Sequence, residues 1–199
     1  MKKQVLLTLF FLSIGVFIWA QTTQILEDFN QSRMSHQRTA MYVLGSWAVG
    51  NIALGTTMQF FTTGEQKYFH QMNAGWNIVN LGIAGFALWS LRGQETGDVG
   101  LESSLSEYFT FQKVLLFNAG LDIGYMLGGL YMMERSRRPN INNPERLKGF
   151  GQSIILQGAF LFGFDLITYL TSTKISTSIL PTLQINPGIG MQMGLQVSF

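Results

Sequence analysis

Four stretches of this chain, residues 40–60, 70–91, 113–133 and 152–171, are each long enough at about 1.5 Å per residue to cross the roughly 30 Å hydrocarbon core of a bilayer. Among them they carry charge only at Lys113, Asp122 and Asp165. A soluble helical bundle needs charged outer faces, and these segments lack them. In lipid every backbone polar group must be satisfied within the protein, so each stretch reads as a spanning helix. Their moderate hydropathy and many glycines suit helices that pack on one another rather than lone anchors.

Composition agrees. Of 199 residues 47% are hydrophobic and only 12% charged, about half the charge of an ordinary soluble domain. The net charge is +2 and the basic residues sit in loops, which gives no footprint for nucleic acid. With no cysteine there are no disulfides and no thiolate chemistry. The N-terminus reads as an export signal: Lys2 and Lys3, an apolar run from Val5 to Phe17, and cleavage expected after Ala20. Ile18 departs from the usual small residue three before the cut, so an uncleaved anchor, and five spans, is the alternative.

The expected organisation is a signal peptide over 1–20, an N-terminal surface segment over 21–39, a four-helix transmembrane bundle over 40–171 and a C-terminal tail over 172–199. Arg135, Arg137, Arg138, Arg146 and Lys148 lie between the third and fourth spans, while Glu95, Asp98, Glu102 and Glu107 lie between the second and third. The basic loop belongs in the cytoplasm. A cleaved signal leaves the mature N-terminus outside, and both signals then place the C-terminus outside as well. The expected location is a bacterial inner membrane, with the outer membrane as the alternative. Ser104-x-x-Glu107 predicts a capping box before the third helix, and Asn143-Pro144-Glu145 predicts the start of the fourth.

The spans are not uniformly apolar. Asn73, Asn77 and Asn80 fall at i, i+4 and i+7 on the second helix, and Asn118, Asp122 and Tyr125 make the same stripe on the third. Counting from the helix ends puts Asn51, Asn80 and Asp122 near the midplane, with Asn118 and Asp165 one layer outward. With Gln157 these form a candidate buried polar site. An ionised carboxylate at that depth is costly, so each aspartate must be protonated, held by Asn and Tyr side chains, or paired with a cation. Two readings stay open: hydrogen bonds that fix helix register, or a proton, cation or small-substrate site at Asp122 and Asp165. Gly120, Gly124 and Gly128 repeat every four residues on another face of the third helix and predict a helix-packing surface.

Catalysis finds little support, and no enzyme, metal site or cofactor is expected. His36 and His70 fall at opposite membrane faces and cannot share a metal. Phe162-Gly163-Phe164-Asp165 lacks the second glycine of the intramembrane aspartyl protease motif, and Gly188-Ile189-Gly190 precedes no helix.

Asn118-Ala119-Gly120-Leu121-Asp122-Ile123-Gly124-Tyr125, Glu134-Arg135, and Gly149-Phe150-Gly151 through Gln157-Gly158-Ala159-Phe160 to Phe164-Asp165-Leu166 resemble a family of small, uncharacterised bacterial four-helix membrane proteins. The resemblance implies the bundle and supplies no activity. The tail is different: apolar residues fall at every odd position from Ile189 to Phe199, and Asn186-Pro187-Gly188 separates this run from Ile179 to Ile185. That is a β-hairpin pattern. The expected fold class is therefore an all-α membrane protein, a four-transmembrane-helix bundle with a short C-terminal β-hairpin. The expected role is a structural or assembly component of the envelope, whose partners are the lipid bilayer, a protein held by the hairpin or the glycine face, or a second copy. The competing role is a small ion- or proton-coupled transporter subunit using Asp122 and Asp165.

Overall fold

A computed structural model describes residues 2–94 and 100–185, with side chains placed for 24–94 and 100–176. The described chain is all helical: α1 (Lys2–Met58), α2 (Gly64–Arg92), α3 (Leu101–Arg135) and α4 (Pro144–Ile185). The turn between α1 and α2 spans only residues 59–63, so these two form a tight antiparallel hairpin. α3 and α4 form a second one, and α4 then lies beside α2 and runs parallel to it. The backbones of α2 and α3 make no close approach to one another, and side chains alone, Trp76 against Tyr125, bridge them.

Glycines set the close approaches. A methyl group at Gly129 would sit 2.7 Å from the carbonyl oxygen of Gly151, and one at Gly151 would sit 2.6 Å from that of Gly129, so α3 and α4 cross backbone to backbone there. Gly158 faces the Asp122 carbonyl and Met126 in the same seam. Gly55 brings α1 onto His70 and Ala74 of α2, and Gly149 brings α4 onto Glu65, Tyr68 and Phe69. Lys148 closes that junction with an ion pair to Glu65 at 2.6 Å, and Asn143 donates from Nδ2 to the Tyr68 hydroxyl at 3.0 Å.

The burial pattern is inside out. Every fully buried residue of α4 among those described is glycine or polar: Gly149, Gly151, Ser153, Gln157, Gly158, Asp165, Thr168 and Ser172. Leu156, Ile167 and Leu170 on the same helix are exposed. A helix in water would bury its leucines and solvate its serines; the reverse arrangement suits a surrounding hydrocarbon. α2, α3 and the stretch Pro144–Ser176 of α4 are each long and apolar enough to cross a membrane.

Several sequence expectations are corrected. Three helices rather than four meet that apolarity among the described residues, because the stretch 40–60 is diluted by Ser46, Asn51, Thr56, Thr57 and Gln59. The segment 21–39 is no separate surface element: it continues α1, and Phe29, Asn30, Arg33 and Met34 are buried against the bundle. The hairpin is not supported. Ile179 to Ile185, read as its first strand, is the end of α4, since local alternation does not oppose continuation of an already formed helix; residues 186–199 lie outside the described residues. The Ser104–Glu107 pair does not cap α3, which begins a turn earlier after Gly100, and Glu107 is engaged elsewhere. The start of α4 is as read: Pro144 opens it and the Asn143 side-chain oxygen accepts from the Arg146 amide at 3.2 Å.

Candidate functional site

Two polar assemblies occupy the interior. The first is a closed circuit of hydrogen bonds over three helices. Trp47 donates from its indole nitrogen to Gln157 Oε1 at 3.0 Å, and Gln157 Nε2 donates to Asn73 Oδ1. Asn73 Nδ2 donates to Asn51 Oδ1 at 2.9 Å, and Asn51 Nδ2 returns to the Trp47 carbonyl at 2.8 Å. Asn77 donates to the Asn73 carbonyl at 2.8 Å, and Asn80 donates to Asn77 Oδ1 at 3.3 Å, which carries the chain one further layer along α2. The Trp47 ring lies flat on Phe160 with centroids 3.8 Å apart. Every link joins a donor to an acceptor, so this assembly fixes the α1, α2 and α4 register and leaves little capacity for anything else.

The second assembly is not satisfied in this way. Asp122 and Asp165 come from α3 and α4 and line one cleft. An ionised carboxylate only accepts, so two carboxyls brought together can hydrogen-bond only with a proton between them. Asp122 is 3% exposed, yet its Oδ2 has no hydrogen-bond partner. Among the described residues neither Asn80, Asn118 nor Tyr125 hydrogen-bonds to either carboxyl.

Instead these groups share a cleft of about 170 Å³. Its polar floor is Asp122, Asp165, Asn80 and Asn118. Its exposed rim is formed by Val79 and Ile83 of α2 and by Leu121 and Tyr125 of α3. Trp76 and Tyr125 meet edge to face across it at 4.9 Å.

Residues 43–166 match the model of a family of unknown function, DUF6992. The chain belongs to that family. No curated protein and no solved structure matches it. The DUF6992 region contains both assemblies whole, from Trp47 to Asp165, and leaves out residues 24–42 of α1 and the end of α4.

Within the DUF6992 region the stripes on α2 and α3 were legible, but the depths were not all right. Asn51 pairs with Asn73 rather than lying level with Asn80, because the short α1–α2 turn sets the antiparallel register. Asp165 lines the same cleft as Asp122 instead of lying a layer outward. Asn51, Asn77 and Gln157 belong to the circuit; Asn118, Asp122, Tyr125 and Asp165 line the cleft, and Asn80 belongs to both. Trp47, which closes the circuit through its indole and its carbonyl, was missed as a site residue. Among the described residues nothing packs on Gly120, Gly124 or Gly128, and the α3–α4 crossing uses Gly129, Gly151 and Gly158 instead. His36 and His70 sit at opposite ends, His36 within 3.1 Å of the Thr168 carbonyl and His70 beside Gly55.

Beyond the spans lies a third polar layer that the sequence did not reveal. Arg33 is buried and pairs with Glu107 at 2.6 Å. Beside it Tyr108 donates to the Ser172 carbonyl at 2.9 Å, and Gln112 donates to the Tyr108 hydroxyl at 2.7 Å. This layer ties α1, α3 and α4 together at the end opposite the basic loop.

Proposed function

We propose that this chain is an integral protein of a bacterial inner membrane that binds a proton or small cation at Asp122 and Asp165, as a small ion- or proton-coupled transporter subunit and not an enzyme. The observation that carries the reading is a buried Asp122 whose Oδ2 has no hydrogen-bond partner, on the wall of a cleft that a second carboxyl, Asp165, also lines. Carboxyls kept only to fix helix register would be expected to bond to the neighbouring asparagines, yet Asn80 is spent on Asn77, and Asn118, which lines the same cleft, makes no hydrogen bond to either carboxyl. No Lys or Arg lies inside the spans other than Lys113, the first residue of the 113–133 stretch, so neutralisation must come from a proton or a bound cation. The Arg135 to Lys148 loop faces the cytoplasm in this reading, and an export signal over 1–20 leaves both termini outside.

Dicyclohexylcarbodiimide partitions into lipid and reacts with protonated carboxyls, so it tests the reading directly. In membranes it should modify Asp122 or Asp165, and labelling should disappear in the double variant Asp122→Asn, Asp165→Asn while the fold survives. A pair left unlabelled at every pH tried would overturn it.

A structural or assembly role is the second reading, favoured by one observation: Gly120, Gly124 and Gly128 form a ridge on α3 with open space above it, where a second copy could lie close. Under that role Asp122→Asn is silent and Gly124→Leu abolishes assembly, whereas under the first the outcomes exchange.

A further inference from the structure

We infer that the cleft takes an amphiphilic organic cation, an ammonium head on an alkyl chain, which enters sideways from the bilayer between α2 and α3 and replaces the shared proton; the inference rests on the proposed acid-pair site. The rim between the two helices faces outward: Val79 is 62%, Ile83 54% and Leu121 40% exposed. Water does not border that rim at mid-span. A bare ion has no route through hydrocarbon, whereas a molecule already dissolved in the bilayer reaches the rim by lateral diffusion.

The interior chemistry matches an ammonium head. Two carboxyls and the amides of Asn80 and Asn118 supply acceptor oxygens, and Asp122 Oδ2 is an acceptor with nothing to accept. Trp76 and Tyr125 place aromatic rings at the neck, the surface that best receives an alkylammonium as it passes from lipid to the carboxyls. The cleft is several times the volume that one water or a metal ion needs, and no cluster of three metal-ligating side chains occurs among the described residues. Its walls of Leu44, Leu161 and Phe164 are apolar, as a short length of alkyl chain requires. When the cation binds, the proton held between the carboxyls leaves, so charge balances within the site.

The test uses the full chain in phosphatidylcholine vesicles. Carbodiimide labelling of Asp122 and Asp165 is measured alone and with dodecyltrimethylammonium, a cation with no nucleophilic nitrogen. Tetramethylammonium and the uncharged amphiphile dodecyl maltoside serve as comparisons. Dodecyltrimethylammonium is expected to lower labelling at least tenfold, with little effect from the other two, and its binding should release protons.

Leu121→Trp, which fills the mouth without touching a carboxyl, should abolish that protection while leaving labelling by the carbodiimide measurable. If tetramethylammonium or sodium protects as well as the long-chain cation, the lateral amphiphile is refuted and the acid-pair site stands. If dodecyl maltoside protects equally, the effect is apolar crowding and the inference is refuted. If the ligand-free protein is never labelled, the acid-pair reading falls and this inference with it.

Discussion

The crossing of α3 over α4 predicts that glycines identical in sequence terms will respond oppositely to one added methyl group. At Gly129 the new Cβ would lie 2.7 Å from a backbone oxygen and 2.8 Å from Ile155 Cγ1; at Gly151 it would lie 2.6 Å from a backbone oxygen. Neither oxygen belongs to a side chain that could turn away, so the helices must part by several tenths of an ångström along the whole seam. Overpacking of this kind costs about 1–3 kcal/mol. At Gly120, Gly124 and Gly128 nothing lies within 4 Å, and replacing glycine by alanine in a helix gains about 0.5–1 kcal/mol from backbone entropy. Gly129→Ala and Gly151→Ala should therefore be less stable than Gly124→Ala by about 2 kcal/mol or more, roughly a thirtyfold change in the unfolding equilibrium. The two seam substitutions share one crossing, so the double variant should lose less than their sum. Reversible unfolding in mixed micelles, titrated with a denaturing detergent and followed by near-ultraviolet circular dichroism, measures all four. If Gly124→Ala is the more damaging substitution, the α3–α4 packing described here is wrong or α3 is covered by a second copy; chemical cross-linking separates those cases.

Three further outcomes follow from the polar layers. Gln157→Leu strands the Trp47 indole donor and the Asn73 acceptor together, and should cost about 1–2 kcal/mol in the same unfolding assay, whereas Asn118→Leu, which breaks no hydrogen bond among the described residues, should cost less. At the end of the bundle the ion pair is asymmetric, with Arg33 3% and Glu107 44% exposed. Glu107→Ala leaves a buried guanidinium without its carboxylate and should cost about 3 kcal/mol, while Arg33→Met leaves a carboxylate that water can reach and should cost about 1 kcal/mol; thermal unfolding in detergent compares them. Single cysteines at Val79 and at Ala119 can be placed without background because the natural chain has none. Labelled with a nitroxide in detergent and returned to membranes, the exposed position 79 should collide freely with lipid-dissolved oxygen and the buried position 119 rarely, as power-saturation spectra would show.

What the sequence revealed divides along physical lines. Helical periodicity put Asn73, Asn77 and Asn80 on one face, and burial confirms it. Asn143-Pro144-Glu145 marked a helix start because capping is decided by neighbouring residues alone. Register between helices is a tertiary quantity: nothing local to Asp165 says that it shares a cleft with Asp122, or that Asn51 meets Asn73. The glycine ridge misled for a related reason. Gly120, Gly124 and Gly128 repeat more regularly than Gly129, Gly151 and Gly158, but contact depends on which face the partner helix covers. Alternation between Ile179 and Ile185 could not reveal that α4 would run through it, because a period of two over seven residues competes with a helix already more than thirty residues long. Arg33 escaped notice because a charged residue in a polar stretch normally stays solvated; its burial depends on Glu107, Asn30 and Tyr108 arriving from other turns and helices.

The central claim is that Asp122 and Asp165 act as one proton-holding unit. Infrared spectra of the protein in membranes, recorded for the natural chain and for Asp122→Asn and Asp165→Asn separately, test it most directly. The natural chain should show the carbonyl absorption of a protonated carboxyl at neutral pH, and each single substitution should shift or remove that same band. A spectrum without a protonated carboxyl, or a band that one substitution removes and the other leaves untouched, would contradict the claim.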